Sequence, residues 1–409
     1  MSQKFHVFSR QYPYQFWLLF WGMLISSTGV SIIWPFLTIY IRESLDISLT
    51  TVAGLITLNS FMILAASLVV GPVTDKVGRK WIMVLSLAAS SISLFLMSHA
   101  STLTQFAVLM AIRGAFTPLY RIGADAMVAD MIAPEKRMEA YSLMRMINNV
   151  GVALGPMIGG FITAISYALG FYAAAIILFV FSLLAAVFLS ETLVKQEQTV
   201  SSPKTTKDLT GYGAVLKDIP FLVFSGSFTI TKMAPALVFV LLSVYVKENF
   251  QIPESQFGFM MATNATMVVL FQYLVSKVAK RVSPNLVLII GSILYAIGVG
   301  SMAWDTNFWS FIFSIIIMTT GELLVAPTAT TMVARFAPSD MRGRYMGVYW
   351  LTVGVSKGLA PLIGGLLNDH ISPVAIWYGG LVMGLVGAVG FSILSRLESR
   401  QELETLPER

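Results

Sequence analysis

The sequence has no cysteine. That excludes disulfides, thiolate metal ligands and cysteine nucleophiles. Histidine is almost as scarce. His6, His99 and His370 lie far apart near the ends of apolar runs and form no zinc-site spacing. Charged residues make up 12% of the chain, where soluble domains carry about a quarter. There is no nucleophile–base set, no nucleotide-binding glycine loop and no cluster of metal ligands, so no cofactor is expected. An enzyme or receptor embedded in a membrane is the weakest reading. The opening stretch MSQKFHVFSRQYPY is followed by no small-residue cleavage site, so Phe16 onward is expected to be a retained first span.

What the chain does have is apolar length. Of its 409 residues, 56% are hydrophobic, and the mean hydropathy is +0.76. So little charge leaves too little polar surface to cover a globule of this size, so lipid must cover it. Apolar runs of about 20 residues read as spans. Twelve are expected, near 14–41, 49–70, 80–98, 103–131, 137–165, 168–190, 219–246, 255–275, 284–303, 307–334, 341–367 and 373–395. The stretch 191–217 is polar and rich in Ser, Thr and Lys, and reads as a solvated linker. The expected plan is therefore an all-α membrane protein: a bundle of six helices in 1–190, the linker, a second six-helix bundle in 218–396, and a tail from 397.

The two halves repeat one another. Ala133-Pro134 aligns with Ala337-Pro338, Arg137 with Arg342, and Gly155-Pro156-x-x-Gly159-Gly160 with Ala360-Pro361-x-x-Gly364-Gly365. A repeat of this length in an apolar chain points to two pseudo-symmetric membrane halves. Loop charge sets the orientation. The loops on the side of the N-terminus hold 20 Lys and Arg, and those on the other side hold only Arg42 and Lys247, which are 2. Both termini and the linker are therefore expected in the cytoplasm. The same count accounts for the net charge of +6 without nucleic acid.

Two motifs are more particular. Gly71 to Lys80 reads GPVTDKVGRK. Its glycines Gly71 and Gly78 permit a tight turn, Asp75 can accept at a helix N-terminus, and Lys76, Arg79 and Lys80 suit an anionic membrane surface. An ordinary basic loop is the plainer reading, but the spacing resembles the G-x-x-x-D-[RK]-x-G-R-[RK] loop of the major facilitator superfamily at every position. The twelve-span plan covers nearly the whole chain. The resemblance implies a cytoplasmic latch in which Asp75 caps the eleventh span near Met341 and Arg79 pairs with Asp130. The matching loop of the second half, from Ser276, is basic but lacks the acid and the glycines. In the fifth span, Gly151, Gly155, Pro156, Gly159 and Gly160 suit backbone-close helix packing. They also resemble the G-x-x-x-G-P-x-x-G-G signature of the drug–proton antiporter branch.

Ionisable residues within spans are the other signal, because a charge at the bilayer centre costs a few kcal/mol. They are Arg113, Arg121, Asp125, Asp130, Arg145, Lys232, Glu322 and Lys357. Asp130 and Arg145, toward span ends, serve equally well as structural ion pairs. Arg121 and Asp125 stand four apart and can pair. The Gly-Glu-x-x-x-x-Pro of the tenth span resembles multidrug members of the superfamily, where the resemblance ties this acid to proton coupling, and Arg113 matches the family's span-four arginine. Glu322, Asp125, Arg113 and Arg121 are thus the proton-coupling candidates, with Lys232 or Lys357 as the cation beside Glu322.

Candidate cavity residues are Trp34, Tyr40, Asn59, Asn148, Asn149, Phe228, Lys232, Phe239, Tyr349, Trp350 and Lys357, although aromatics in spans more often pack or face lipid. The resemblance implies alternating access around a midplane site, with proton-coupled export of small amphiphilic, drug-like compounds. The five cations and three acids within the spans favour a second substrate class, an organic anion, a sugar or an anionic lipid. One chain holds both halves, so a monomer in the cell membrane is expected, with protons and a small molecule as its partners and no nucleic acid.

Overall fold

The computed structural model describes residues 12–192, 212–338 and 341–404. Most of the expected linker and the last residues of the tail thus lie outside it. All regular structure among the described residues is helical. Twelve long helices follow the twelve expected spans: α1 (Tyr14–Leu45), α2 (Leu49–Val77), α3 (Arg79–Met97), α4 (Leu103–Met131), α5 (Pro134–Ile165), α6 (Tyr167–Phe188), α7 (Ile219–Phe250), α8 (Glu254–Ala279), α9 (Pro284–Ser301), α10 (Phe308–Phe336), α11 (Arg342–His370) and α12 (Ala375–Glu404). Eleven are long and apolar enough to cross a membrane. The exception is α4, whose charges at Arg113, Arg121, Asp125 and Asp130 lower its apolar character. The chain is a multi-pass membrane protein.

Local chemistry explains the helix bounds. α1 is interrupted by a 3-10 turn at Trp34–Phe36, where Pro35 has no N–H for the helical ladder. It ends at Asp46, whose φ of 50° is left-handed. α4 opens with a capping box, in which the Thr102 hydroxyl accepts from the Gln105 N–H and the Gln105 side chain accepts from the Thr102 N–H. Asn307 and Ser310 do the same for α10. These caps satisfy orphan N–H groups at helix ends.

The chain forms two compact units. The first takes Met1–Ile47, Leu58–Gln196 and Gln251–Ala265, and the second takes Ser48–Thr57, Glu197–Phe250 and Thr266–Arg409. Each unit therefore includes the start of one helix whose remainder belongs to the other. In the first unit, the start of α8 docks on α5 and α6. Tyr167 Oη donates to the Glu254 carboxylate, and a Cβ at Gly160 would lie 2.5 Å from the Glu254 carbonyl oxygen. In the second, the start of α2 docks on α11. The Thr50 N–H donates to Asp369 at 2.7 Å, and Thr57 Oγ1 donates to the Gly358 carbonyl at 2.6 Å. A Cβ at Gly365 would lie 2.8 Å from Thr50 Cα. Gly160 and Gly365 are the aligned last glycines of the repeat, so one sequence device seats a helix start in each unit.

The remaining glycines of the α5 motif pack on α1. A Cβ at Gly151 would lie 2.7 Å from Ser27 Cβ, one at Gly155 would meet Ser31, and one at Gly159 would meet the Ile32 carbonyl oxygen. Backbone cannot yield as a flexible side chain can. Gly159→Leu is therefore expected to lower stability by about 1–3 kcal/mol or more, while Gly54→Ala, with open space around it, melts like the parent. Thermal unfolding of the purified protein in detergent measures both. A Gly159→Leu variant that melts with the parent would show that α1 and α5 do not meet this closely.

Candidate functional site

The second unit brings an ionic pair and a tyrosine hydroxyl together from three helices. α7 carries Lys232, α9 carries Tyr295 and α10 carries Glu322. Lys232 Nζ lies 4.0 Å from Glu322 Oε1. It donates to Tyr295 Oη at 3.2 Å and stands 5.4 Å from the centre of that ring. Tyr295 is fully buried. The charged groups of Lys232 and Glu322 thus converge on one another across three helices. Their separation is longer than a hydrogen bond, so the pair is held by Coulomb attraction and can be parted without breaking a tight bidentate contact. Their side chains are 18% and 22% exposed, so neither is sealed off.

The surroundings of the pair are ordered. Gln272 of α8 donates to the Leu323 carbonyl at 3.1 Å, beside Glu322. Phe228 and Tyr349 have ring centroids 5.1 Å apart, and the Tyr349 and Thr330 hydroxyls are 3.4 Å apart. Pro235 and Pro327 interrupt the ladders of α7 and α10 close by. Of the two cations expected beside Glu322, Lys232 stands at ion-pair distance. Trp350 and Phe239 are exposed.

The first unit holds a different arrangement. Arg113 is 5% exposed. Its guanidinium carbon stands 4.5 Å from the centre of the Trp34 ring, which the 3-10 turn of α1 presents. Asn59 is buried and donates to the Met110 carbonyl at 2.8 Å. Ser27 Oγ donates to Asn148 Oδ1 at 2.7 Å, and Asn149 is half-buried beside it. Tyr40 donates to the Ser98 carbonyl and packs against Phe106, Tyr167 and Phe171. That makes it a packing residue of the helix ends. Arg121 and Asp125 share a face of α4 but form no ion pair within 4.0 Å among the described residues, because Arg121 turns outward and is exposed. Arg145 is also exposed.

The basic loop is tied down within the same unit. Gly78 has φ 101°, in the region that favours glycine. Arg79 Nε pairs with Asp130 Oδ2 at 3.2 Å, as expected. The backbone N–H groups of Arg79 and Lys80 donate to the Glu191 carboxylate at 3.0 and 3.1 Å, and Thr192 Oγ1 donates to Asp130 at 2.8 Å. Glu191 thus caps the N-terminus of α3 from the end of α6. The surroundings of Gly71 and the side chain of Asp75 lie outside the described residues, and so does the expected cap of Asp75 on α11.

Glu191, Tyr295 and the Tyr167–Glu254 contact are functional features that the sequence alone does not single out. A glutamate just after the sixth span looks like the start of the linker. A tyrosine inside an apolar run carries no polar signal until its hydroxyl is placed.

The family follows from comparison of the whole chain. The family model described as Major Facilitator Superfamily matches residues 19–247 and 225–409. This chain belongs to the major facilitator superfamily. The transporter is 28% identical to the uncharacterized MFS-type transporter YttB of Bacillus subtilis (strain 168), over 93% of this chain and 95% of that protein. It is 24% identical to the class H tetracycline resistance protein of Pasteurella multocida, over 94% and 96%. The crystal structure of the nucleoside transporter NupG superposes with a TM-score of 0.78 at 14% identity, over 93% of this transporter and 99% of that chain. That likeness shows the fold.

Glu191→Gln should loosen the loop of the transporter, because it removes the charge that two N–H groups and the helix dipole favour. The expected loss is about 1 kcal/mol, read as a lower melting temperature, with Asp130→Asn acting on the same network. In a double variant the two effects should sum to less than their separate values. Strict additivity would show that the two acids act separately.

Proposed function

We propose that this transporter is a proton-coupled exporter of small amphiphilic, drug-like compounds that works by alternating access. The observation that carries the reading is the Lys232–Glu322 pair, a carboxylate and an ammonium 4.0 Å apart inside apolar spans. Ionised Glu322 is held by Lys232. Protonated Glu322 is neutral, and Lys232 is then released to Tyr295 or to a ligand. A carboxyl whose surroundings differ between two conformations of the protein takes up a proton in one and releases it in the other. That is the step a proton-coupled carrier needs. Asp125, half-buried in α4, is the next acid in order. The export direction is supported by the α5 glycine–proline motif and by the similarity to a resistance protein.

The remaining features fit the same reading. The 20-to-2 distribution of basic loop residues supports cytoplasmic termini and a plasma-membrane location. The Arg79–Asp130–Glu191 network would then be a cytoplasmic element. With both repeats in one chain, a monomer suffices.

The test uses protein reconstituted in proteoliposomes with an imposed pH gradient. Glu322→Gln keeps the shape of the protonated acid. It should abolish accumulation driven by the gradient while leaving substrate binding and downhill exchange measurable. A Glu322→Gln variant that accumulates substrate at the parent rate would place coupling elsewhere, with Asp125→Asn the next variant to measure.

A further inference from the structure

Arg113 is a buried cation. No carboxylate among the described residues lies within 4.0 Å of it, and its buried Nε has no hydrogen-bond partner. Its neighbours are committed elsewhere: the Asn59 amide to the Met110 carbonyl, and the Thr117 hydroxyl to the backbone carbonyl of Arg113 itself. Asp125, the nearest acid along α4, is about 18 Å away at the helical rise per residue. A guanidinium does not lose its proton in proteins. A charge buried this deeply needs an opposite charge or a π face.

Trp34 supplies the π face alone. A ring face answers the charge but is no carboxylate, and the five N–H donors of a guanidinium form a planar fork suited to carboxylates and phosphates. Trp34 is only half-buried, so it adds aromatic surface beside the fork. We propose that Arg113 and Trp34 form a subsite for the anionic group of the transported compound, so that the substrates are aromatic or apolar bodies bearing a carboxylate or similar oxyanion. This rests on the transport reading above and narrows its substrate class to anions. Arg113 then acts as an anion receptor and not as a proton carrier, because its charge does not change.

The test is equilibrium binding to the full-length protein in detergent, with 1-naphthoate and its neutral counterpart 1-naphthamide as probes. The parent should bind naphthoate about 10-fold or more tighter than naphthamide, the worth of one charge-assisted fork. Arg113→Gln should erase that preference. Arg113→Lys keeps the charge without the fork and should retain part of it, which guards against a Gln variant that fails to fold. Trp34→Leu should weaken both probes. Equal binding of the two probes by the parent, a preference that survives Arg113→Gln, or chloride competing as strongly as naphthoate at the same concentration would each overturn the proposal. Glu322→Gln separates the two readings. If it keeps the naphthoate preference and still accumulates naphthoate along a pH gradient, the coupling assignment fails and the anion subsite stands.

Discussion

A charge inside hydrocarbon has to be answered by something in the protein. The transporter answers its charges in three ways. Lys232 and Glu322 meet across α7 and α10 with the Tyr295 hydroxyl as a third member. Arg113 has, among the described residues, the ring of Trp34 and no carboxylate within 4.0 Å. Arg121 and Arg145 are exposed side chains. The first two solutions differ in what they leave open. A cation paired with an acid can be freed by one proton, whereas a guanidinium over a ring keeps its charge at all times.

The backbone makes these meetings possible. The α5 glycines bring α1 close enough for Ser27 to reach Asn148, and α1 is broken where Trp34 meets Arg113. Gly160 and Gly365 perform matching tasks for α8 and α2. These contacts are ones that side-chain bulk would prevent, which explains small residues at fixed spacing in helices that otherwise favour large apolar ones.

Much of this was legible in the sequence. Span positions follow from hydropathy, and the helices match them because lipid permits little else. The Arg79–Asp130 pair was legible through the resemblance of the loop. The meeting of Lys232 with Glu322 was not, since they lie on different helices and helical spacing says nothing about how one helix is rotated against another. The lack of an Arg121–Asp125 ion pair shows the same limit within one helix: four-residue spacing permits a pair, but the rotamer of an outward-facing arginine decides it. The docking of helix starts by Gly160 and Gly365 was hidden because sequence order assigns α2 and α8 wholly to their own halves, whereas the packing divides them.

The central claim is that Lys232 and Glu322 recognise one another inside the membrane span. A double-mutant cycle of Lys232→Met and Glu322→Gln on unfolding stability measures this most directly. The structure predicts that the two changes couple, with an interaction energy of about 1 kcal/mol or more, the double variant being less impaired than the sum of the singles. Effects that add within about 0.3 kcal/mol would contradict it, and would show the two side chains as neighbours that do not sense each other's charge.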